Sequence, residues 1–399
     1  MLRLTARLFL LLILGSSAAS FAQTGPTPQT VLARILKETP AKADWFDLSF
    51  LTHVKPSQID DIVKQYTEQY GQFQRVEGTN PNYTVMLERG SFPAKIALNA
   101  EGLITGLWFG VAEPLKAASL DDTLKDFDKL PGKFSALITE EGKVRASRKP
   151  DEALAVGSAF KLAVLAALSD QAAAGKHRKD EVIPLRSAWK SLPSGVLLEW
   201  PDGTPLTLAT YENEMISISD NTAADALISI AGRESVETIA PRNKPFLTTR
   251  EAFILKAPAN SALLARYRKA DEAGRRALLP QTDTLPLPDV GVFDSGPLAT
   301  DVEWFFTSSE LCSLIEKVKD LPAMHINPGV AKPSDWQQIA YKGGSEPGVL
   351  NLTTAMTGKN GKHYCVTATW NNSSNLDENR FFTLYGGLLS TLAKDSAKP

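Results

Sequence analysis

Histidine and cysteine are the scarce residues of this 399-residue chain, with four and two copies. A zinc centre needs three or four ligands at short spacing. His53, His177, His325 and His363 are scattered and match no such pattern, so no metal or other cofactor is expected. Cys312 and Cys365 could pair in an oxidising compartment or be two buried thiols, and their spacing does not choose. Neither cysteine has a local partner for catalysis, which argues against a cysteine nucleophile. An excess of charge of one sign is also missing: the net charge is −2. Nothing in that balance would draw the chain to nucleic acid or to an anionic membrane. Long apolar runs are lacking too. The run Leu8–Leu14 is well short of the ~20 residues that a spanning helix needs, so no stable membrane anchor is expected. What remains is an ordinary globular composition, 43% hydrophobic and 22% charged, on a chain long enough for two domains.

Residues 1–22 read as a signal peptide. Arg3 and Arg7 make a basic start, Leu8–Leu14 an apolar centre, and Ser20-Phe-Ala22 a small-residue cleavage site. The mature chain is therefore expected to be secreted or periplasmic. Residues 23–111 read as a small α+β accessory domain. Thr30–Lys37 predicts a short amphipathic helix, and Ser57-Gln-Ile-Asp60 opens a second with Ile59, Ile62, Val63, Tyr66 and Tyr70 on one face. Strand-like runs follow at 73–76, 83–87, 95–98 and 103–109, separated by turns at Gly78-Thr-Asn-Pro, Gly90-Ser and Asn99-Ala-Glu-Gly. Residues 112–131, charged and bounded by Pro114 and Leu130-Pro-Gly, read as a linker. Residues 132–399 begin with two strands and end with three more, at Lys342, Gly348–Met356 and His363–Trp370, with helices between. That order predicts an antiparallel sheet assembled from both ends of the domain, with a helical insertion. The fold class is α+β.

Three short motifs follow one another in the larger domain: Ser158-Ala-Phe-Lys161, Ser219-Asp220-Asn221 and Lys342-Gly343-Gly344. A second Ser-x-x-Lys, Ser187-Ala-Trp-Lys190, serves as a control, because it lies between Pro184 and Pro193 without helical periodicity. Ser158, by contrast, opens the apolar run from Phe160 to Leu168, long enough for a buried helix. Residues i and i+3 of a helix share a face, so Lys161 is expected one turn from Ser158. A serine hydroxyl needs a base within hydrogen-bond reach to act as a nucleophile. Lysine can be that base when burial and a like charge favour its neutral form. Lys161 is placed for burial, and Lys342 could supply the second charge. Ser219 would carry a proton to the leaving group, and Asn221 would orient a substrate amide. Gly343 and Gly344 suit a strand that passes close to a substrate.

These motifs resemble the S-x-x-K, S-D-N and K-T-G signatures of class A β-lactamases and penicillin-binding proteins. The flanks agree: Phe134-Ser-Ala-Leu-Ile-Thr-Glu and Leu154-Ala-Val-Gly are similar to the hairpin that leads to the nucleophile helix, and Leu247-Thr-Thr to the start of a later helix. The likeness covers roughly residues 132–395. It implies an active-site serine hydrolase with Ser158, Lys161, Ser219 and Lys342 as catalytic groups. Asn221, Gly343, Gly344 and Ser345 would bind substrate, with the Ser345 N–H completing an oxyanion hole. An ester, a β-lactam or a peptidoglycan-like peptide would be the substrate. The chain departs from the class A pattern twice. The third motif reads Lys-Gly-Gly, so a hydroxyl is missing at Gly343. The segment from Asn221 to Thr248 is too short for the loop that carries the deacylating glutamate. Together with the small leading domain, Leu192-Pro-Ser-Gly and Pro245-Phe-Leu-Thr-Thr-Arg-Glu, this resembles the β-lactamase-like hydrolases of the clavulanic-acid-biosynthesis kind. Ester cleavage is then expected to outpace β-lactam turnover. The alternatives are a class A-type β-lactamase with another deacylation base, and a β-lactam-binding protein that stays acylated.

Overall fold

The computed structural model describes residues 26–114 and 119–397, so the expected signal peptide lies outside the described residues. The chain divides into two compact units, one up to Ala118 and one from Ser119. In the first, Thr27 caps the helix Pro28–Lys37, which buries Val31, Leu32, Ile35 and Leu36. Together with Ile59 and Val63 of the helix Pro56–Tyr70, these side chains form one core with an antiparallel meander. Its strands are Phe73–Thr79, Asn82–Leu87, Gly90–Leu98 and Ile104–Phe109. Alternate residues Tyr83, Val85 and Leu87, then Phe92, Ala94 and Ile96, point inward, as a half-buried sheet requires. The turn expected at Gly90-Ser falls just before it, at Glu88-Arg89, between the antiparallel strands Asn82–Leu87 and Gly90–Leu98. Gly90 begins the second of these strands. It is a glycine for packing, because a Cβ there would come within 2.4 Å of the Tyr70 ring.

The second unit is built on a five-stranded antiparallel sheet. Its order is Gln338–Glu346, Val349–Thr357, His363–Asn371, Lys133–Glu140, Lys143–Arg148, so strands from the two ends of the unit meet in the middle. The C-terminal helix Glu378–Ser396 covers one face through Phe381, Tyr385 and Leu388. The helices Lys161–Ala173 and Ser308–Val318 cover the other. Residues 112–131, expected to be a linker, contain the helix Leu120–Phe127, capped by Ser119. Asp121, Asp122 and Lys125 are exposed, while Leu124 and Phe127 are fully buried in a core that includes Phe134 and Phe381. A charged composition had disguised an amphipathic helix. Cys312 and Cys365, whose state the spacing left open, form a disulfide that ties the helix Ser308–Val318 to the central strand. Among the described residues no helix is long and apolar enough to cross a membrane.

Candidate active site

The short strand Leu154–Ala155 ends at Val156, and Gly157, at φ +50°, turns the chain into the 3₁₀ turn Gly157–Phe160. That turn continues as the helix Lys161–Ala173, whose residues Leu162–Leu168 are all buried. A helix apolar on every side runs through a core, and this one carries Lys161 in with it. Lys161 Nζ lies 3.2 Å from Ser158 Oγ. It also donates to Ser219 O and to Asn221 Oδ1, both at 2.6 Å, and lies 3.1 Å from Ser219 Oγ. Ser158 is half-buried and Lys161 fully buried. Burial, and then the neighbouring Lys342 charge, hold the Lys161 amine well below the ordinary lysine range, against the opposing pull of Asp220, Asp225 and Glu346. The control behaves as a control. Ser187 is exposed, and Lys190 Nζ turns away to Trp200 O and Asp202.

Ser219 sits in left-handed backbone, φ +61°, which a non-glycine residue adopts only where its surroundings fix it. Three bonds do so. Ser194 Oγ donates to Ser219 O at 2.6 Å, Asp220 N to Glu214 O, and Asn221 N to Ser194 O. The Asp220 carboxylate accepts from Val196 N, Leu197 N and Ala223 N, fastening the 194–197 loop to the start of the helix Asn221–Ala231. Asp220 is thus a scaffold residue, which its place in the motif does not reveal. Gly195 is required by the same arrangement, since a Cβ there would lie 2.1 Å from Asp220 Oδ2. Asn221 is engaged at both ends of its amide, with Nδ2 donating to Leu192 O. The geometry therefore makes it a holder of Lys161. Asp225, on the next turn, accepts from Thr249 N, Thr249 Oγ1 and Arg250 N, and burial pushes its carboxyl up to about 7.

Lys342, Gly344 and Glu346 alternate along one face of the strand Gln338–Glu346. Lys342 Nζ donates to Ser219 Oγ at 3.0 Å, and burial pushes it down to about 7. Gly344 lies against the nucleophile turn: a Cβ there would meet Val156 O at 2.2 Å, Ser158 N at 2.3 Å and Ala159 N at 2.6 Å. Ser345 N lies 3.2 Å from the corresponding position on Gly157, so the backbone N–H groups of Ser158 and Ser345 belong to one contact. The hydroxyl missing at Gly343 has a local cause. A Cβ on Gly343 would come within 2.2 Å of the Tyr341 hydroxyl, which fills that space.

Glu237 of the shortened segment after Asn221, and Glu251 just beyond that segment, offer no free carboxylate. Glu237 accepts from Phe246 N and pairs with Arg276, and Glu251 caps Thr248 and pairs with Arg233. Both are structural.

Residues 117–264, which include Ser158, Lys161, Ser219 and Asn221, match the model of the beta-lactamase enzyme family. The chain is similar to the β-lactamase of Sphaerobacter thermophilus DSM 20745, at 19% identity over 71% of this chain and 100% of that one, with a TM-score of 0.51. It is also similar to an ancestral class A β-lactamase (14% identity, 70% of this chain and 100% of that one, TM-score 0.49). PBP-A gives 14% identity, 69% of this chain, 95% of that chain and a TM-score of 0.48. No curated protein matches. At such identities the likeness to the Sphaerobacter enzyme is one of fold. The second unit thus has a β-lactamase-like fold, and residues 117–264 match the beta-lactamase enzyme family.

Proposed function

We propose that this protein is an exported serine hydrolase that forms an acyl-enzyme on Ser158, acting on an ester, a β-lactam or a related amide. The observation that carries the reading is the bonding of Lys161. A neutral lysine amine has two N–H groups and one lone pair. The two shortest contacts, to Ser219 O and Asn221 Oδ1, take the two N–H groups and leave the lone pair to the Ser158 and Ser219 hydroxyls, at 3.2 and 3.1 Å. In the first step Oγ bonds to the substrate carbonyl carbon as its proton moves to Lys161. The N–H groups of Ser158 and Ser345 stabilise the oxyanion. The bond to the leaving group then breaks, and that group takes the Ser219 hydroxyl proton, which Lys161 replaces. Lys342, bonded to Ser219 Oγ, supplies positive charge during acylation. Asn221 positions the base, while Gly343 and Gly344 line the path of the substrate.

The disulfide supports the secreted or periplasmic location, since such bonds persist in oxidising compartments. The structural engagement of Glu237 and Glu251 favours ester cleavage over penicillin turnover, and keeps a slowly deacylating β-lactam-binding protein as the second reading. A chromogenic cephalosporin and a p-nitrophenyl ester assayed on one preparation test the preference. The ester should turn over faster. Cephalosporin turnover near the ~10⁶–10⁸ M⁻¹s⁻¹ end of the enzyme range, without an adduct, would contradict it.

A further inference from the structure

One buried cluster of the C-terminal unit takes no part in acylation. Lys256, at the end of the helix Thr249–Lys256 and 1% exposed, pairs with Glu303 and, at 2.6 Å, with Glu346. The Glu303 side chain is fully enclosed, yet its Oε2 has no hydrogen-bond partner. An enclosed carboxylate oxygen left unpaired is costly, and such an atom is a place where an ordered water or a ligand would be held. The side chain of Glu346 is 21% exposed, so its carboxylate reaches from this enclosed cluster towards solvent.

The elements that carry the cluster border the nucleophile turn. Glu346 continues the strand face on which Lys342 meets Ser219 and Gly344 meets the Ser158 turn. Glu303 precedes Trp304, whose carbonyl accepts from Val156 N at 3.0 Å and whose ring stacks on Phe160, two residues beyond Ser158, at 4.0 Å. The charge of Glu346 is also felt at Lys161. Two carboxylates share one ammonium here, so the cluster carries a formal charge of −1, and taking up a proton would neutralise it.

Resting on the acyl-enzyme proposed above, we propose that Glu346 activates the water that releases the acyl group, with Lys256 and Glu303 as positioning residues that hold Glu346 and the water. This base comes from the sheet, in place of the glutamate loop that the chain lacks. The water oxygen bonds to the acyl carbonyl carbon as its proton moves to Glu346. The bond from carbon to Ser158 Oγ then breaks, Oγ takes a proton from Lys342 through Ser219, and a carboxylic acid leaves. Exchange with solvent restores the Glu346 carboxylate and the Lys342 ammonium. Because Glu346 stands on the substrate strand, a bulky acyl group would crowd out this water and a small one would admit it.

The test is rapid-mixing kinetics of the full chain with a p-nitrophenyl ester, followed by intact-protein mass spectrometry. Glu346→Gln should give a burst close to one equivalent, a persistent adduct on Ser158, and a steady-state rate at least ~10²-fold below wild type. Glu346→Ala should regain turnover with added formate. A Gln variant with wild-type turnover overturns the assignment. So does a loss of burst rate and turnover together that formate does not restore, since that is a merely structural effect. If Ser158→Ala hydrolyses the ester like wild type and no variant carries an adduct, the acyl-enzyme itself has failed and this inference falls with it.

Discussion

Replacing Gly344 by alanine tests the contact on which the oxyanion hole depends. The new methyl would lie 2.2 Å from Val156 O, 2.3 Å from Ser158 N and 2.6 Å from Ala159 N. All three are backbone atoms, so no flexible side chain can move aside. Ordinary contact begins at 3.4 Å, and the strand must therefore retreat from the nucleophile turn by about 1 Å. That movement carries the Ser345 N–H away from the Ser158 N–H. Losing one such donor costs about 10²–10³ in rate, and a 1 Å misplacement alone costs about 10². The expected result is a fall of about 10²–10³ in kcat/KM for ester hydrolysis by a folded protein. Gly386→Ala is the paired control: its Cβ would meet Val330 Cγ1 at an ordinary 3.7 Å inside the helix Glu378–Ser396. It should leave activity alone and raise the melting temperature, because alanine is favoured over glycine in a helix by about 1 kcal/mol. A Gly344→Ala variant within a few-fold of wild type would refute the placement of the oxyanion hole.

Three further outcomes follow from the same geometry. Lys161→Arg should slow acylation by at least ~10²-fold, because guanidinium does not give up its proton and cannot serve as base; normal burst kinetics would contradict this. The pH profile of kcat/KM should fall as pH rises through about 7, where the buried Lys342 loses the proton that supports Ser219; burial and the Lys342 charge hold the Lys161 amine well below the ordinary lysine range. A rate still climbing at pH 9–10 would mean that Lys161 keeps ordinary lysine basicity. Reducing the Cys312–Cys365 disulfide, which closes a 53-residue loop, should lower stability by about 4 kcal/mol on chain entropy alone, read as a lower midpoint in denaturant melts.

Much of the candidate site was legible because its parts obey local rules. The apolar run after Ser158 could only be a buried helix, and i,i+3 spacing brought Lys161 back to the serine. The paired strands at the two ends of the larger domain likewise disclosed a sheet closed from both sides. Where several elements cooperate, spacing says little. Asn221, expected to orient a substrate amide, also holds Lys161 through Oδ1 and bonds Leu192 O through Nδ2, a second role that depends on a loop from elsewhere in the chain. The left-handed backbone of Ser219 and the fastening role of Asp220 belong to that same loop. Lys256, Glu303 and Glu346 come from separate elements, and no sequence window contains them together. In the helix Leu120–Phe127 the charged outer face outweighed the buried inner one.

The central claim is that Ser158 Oγ becomes acylated. Intact-protein mass spectrometry after rapid mixing with a p-nitrophenyl ester and with a β-lactam, followed by peptide mapping, tests it most directly. One acyl group should appear per chain on the peptide that contains Ser158. It should be absent from Ser158→Ala and unaffected by Ser187→Ala. Undiminished turnover by Ser158→Ala, or an adduct mapped to any other residue, would contradict the account.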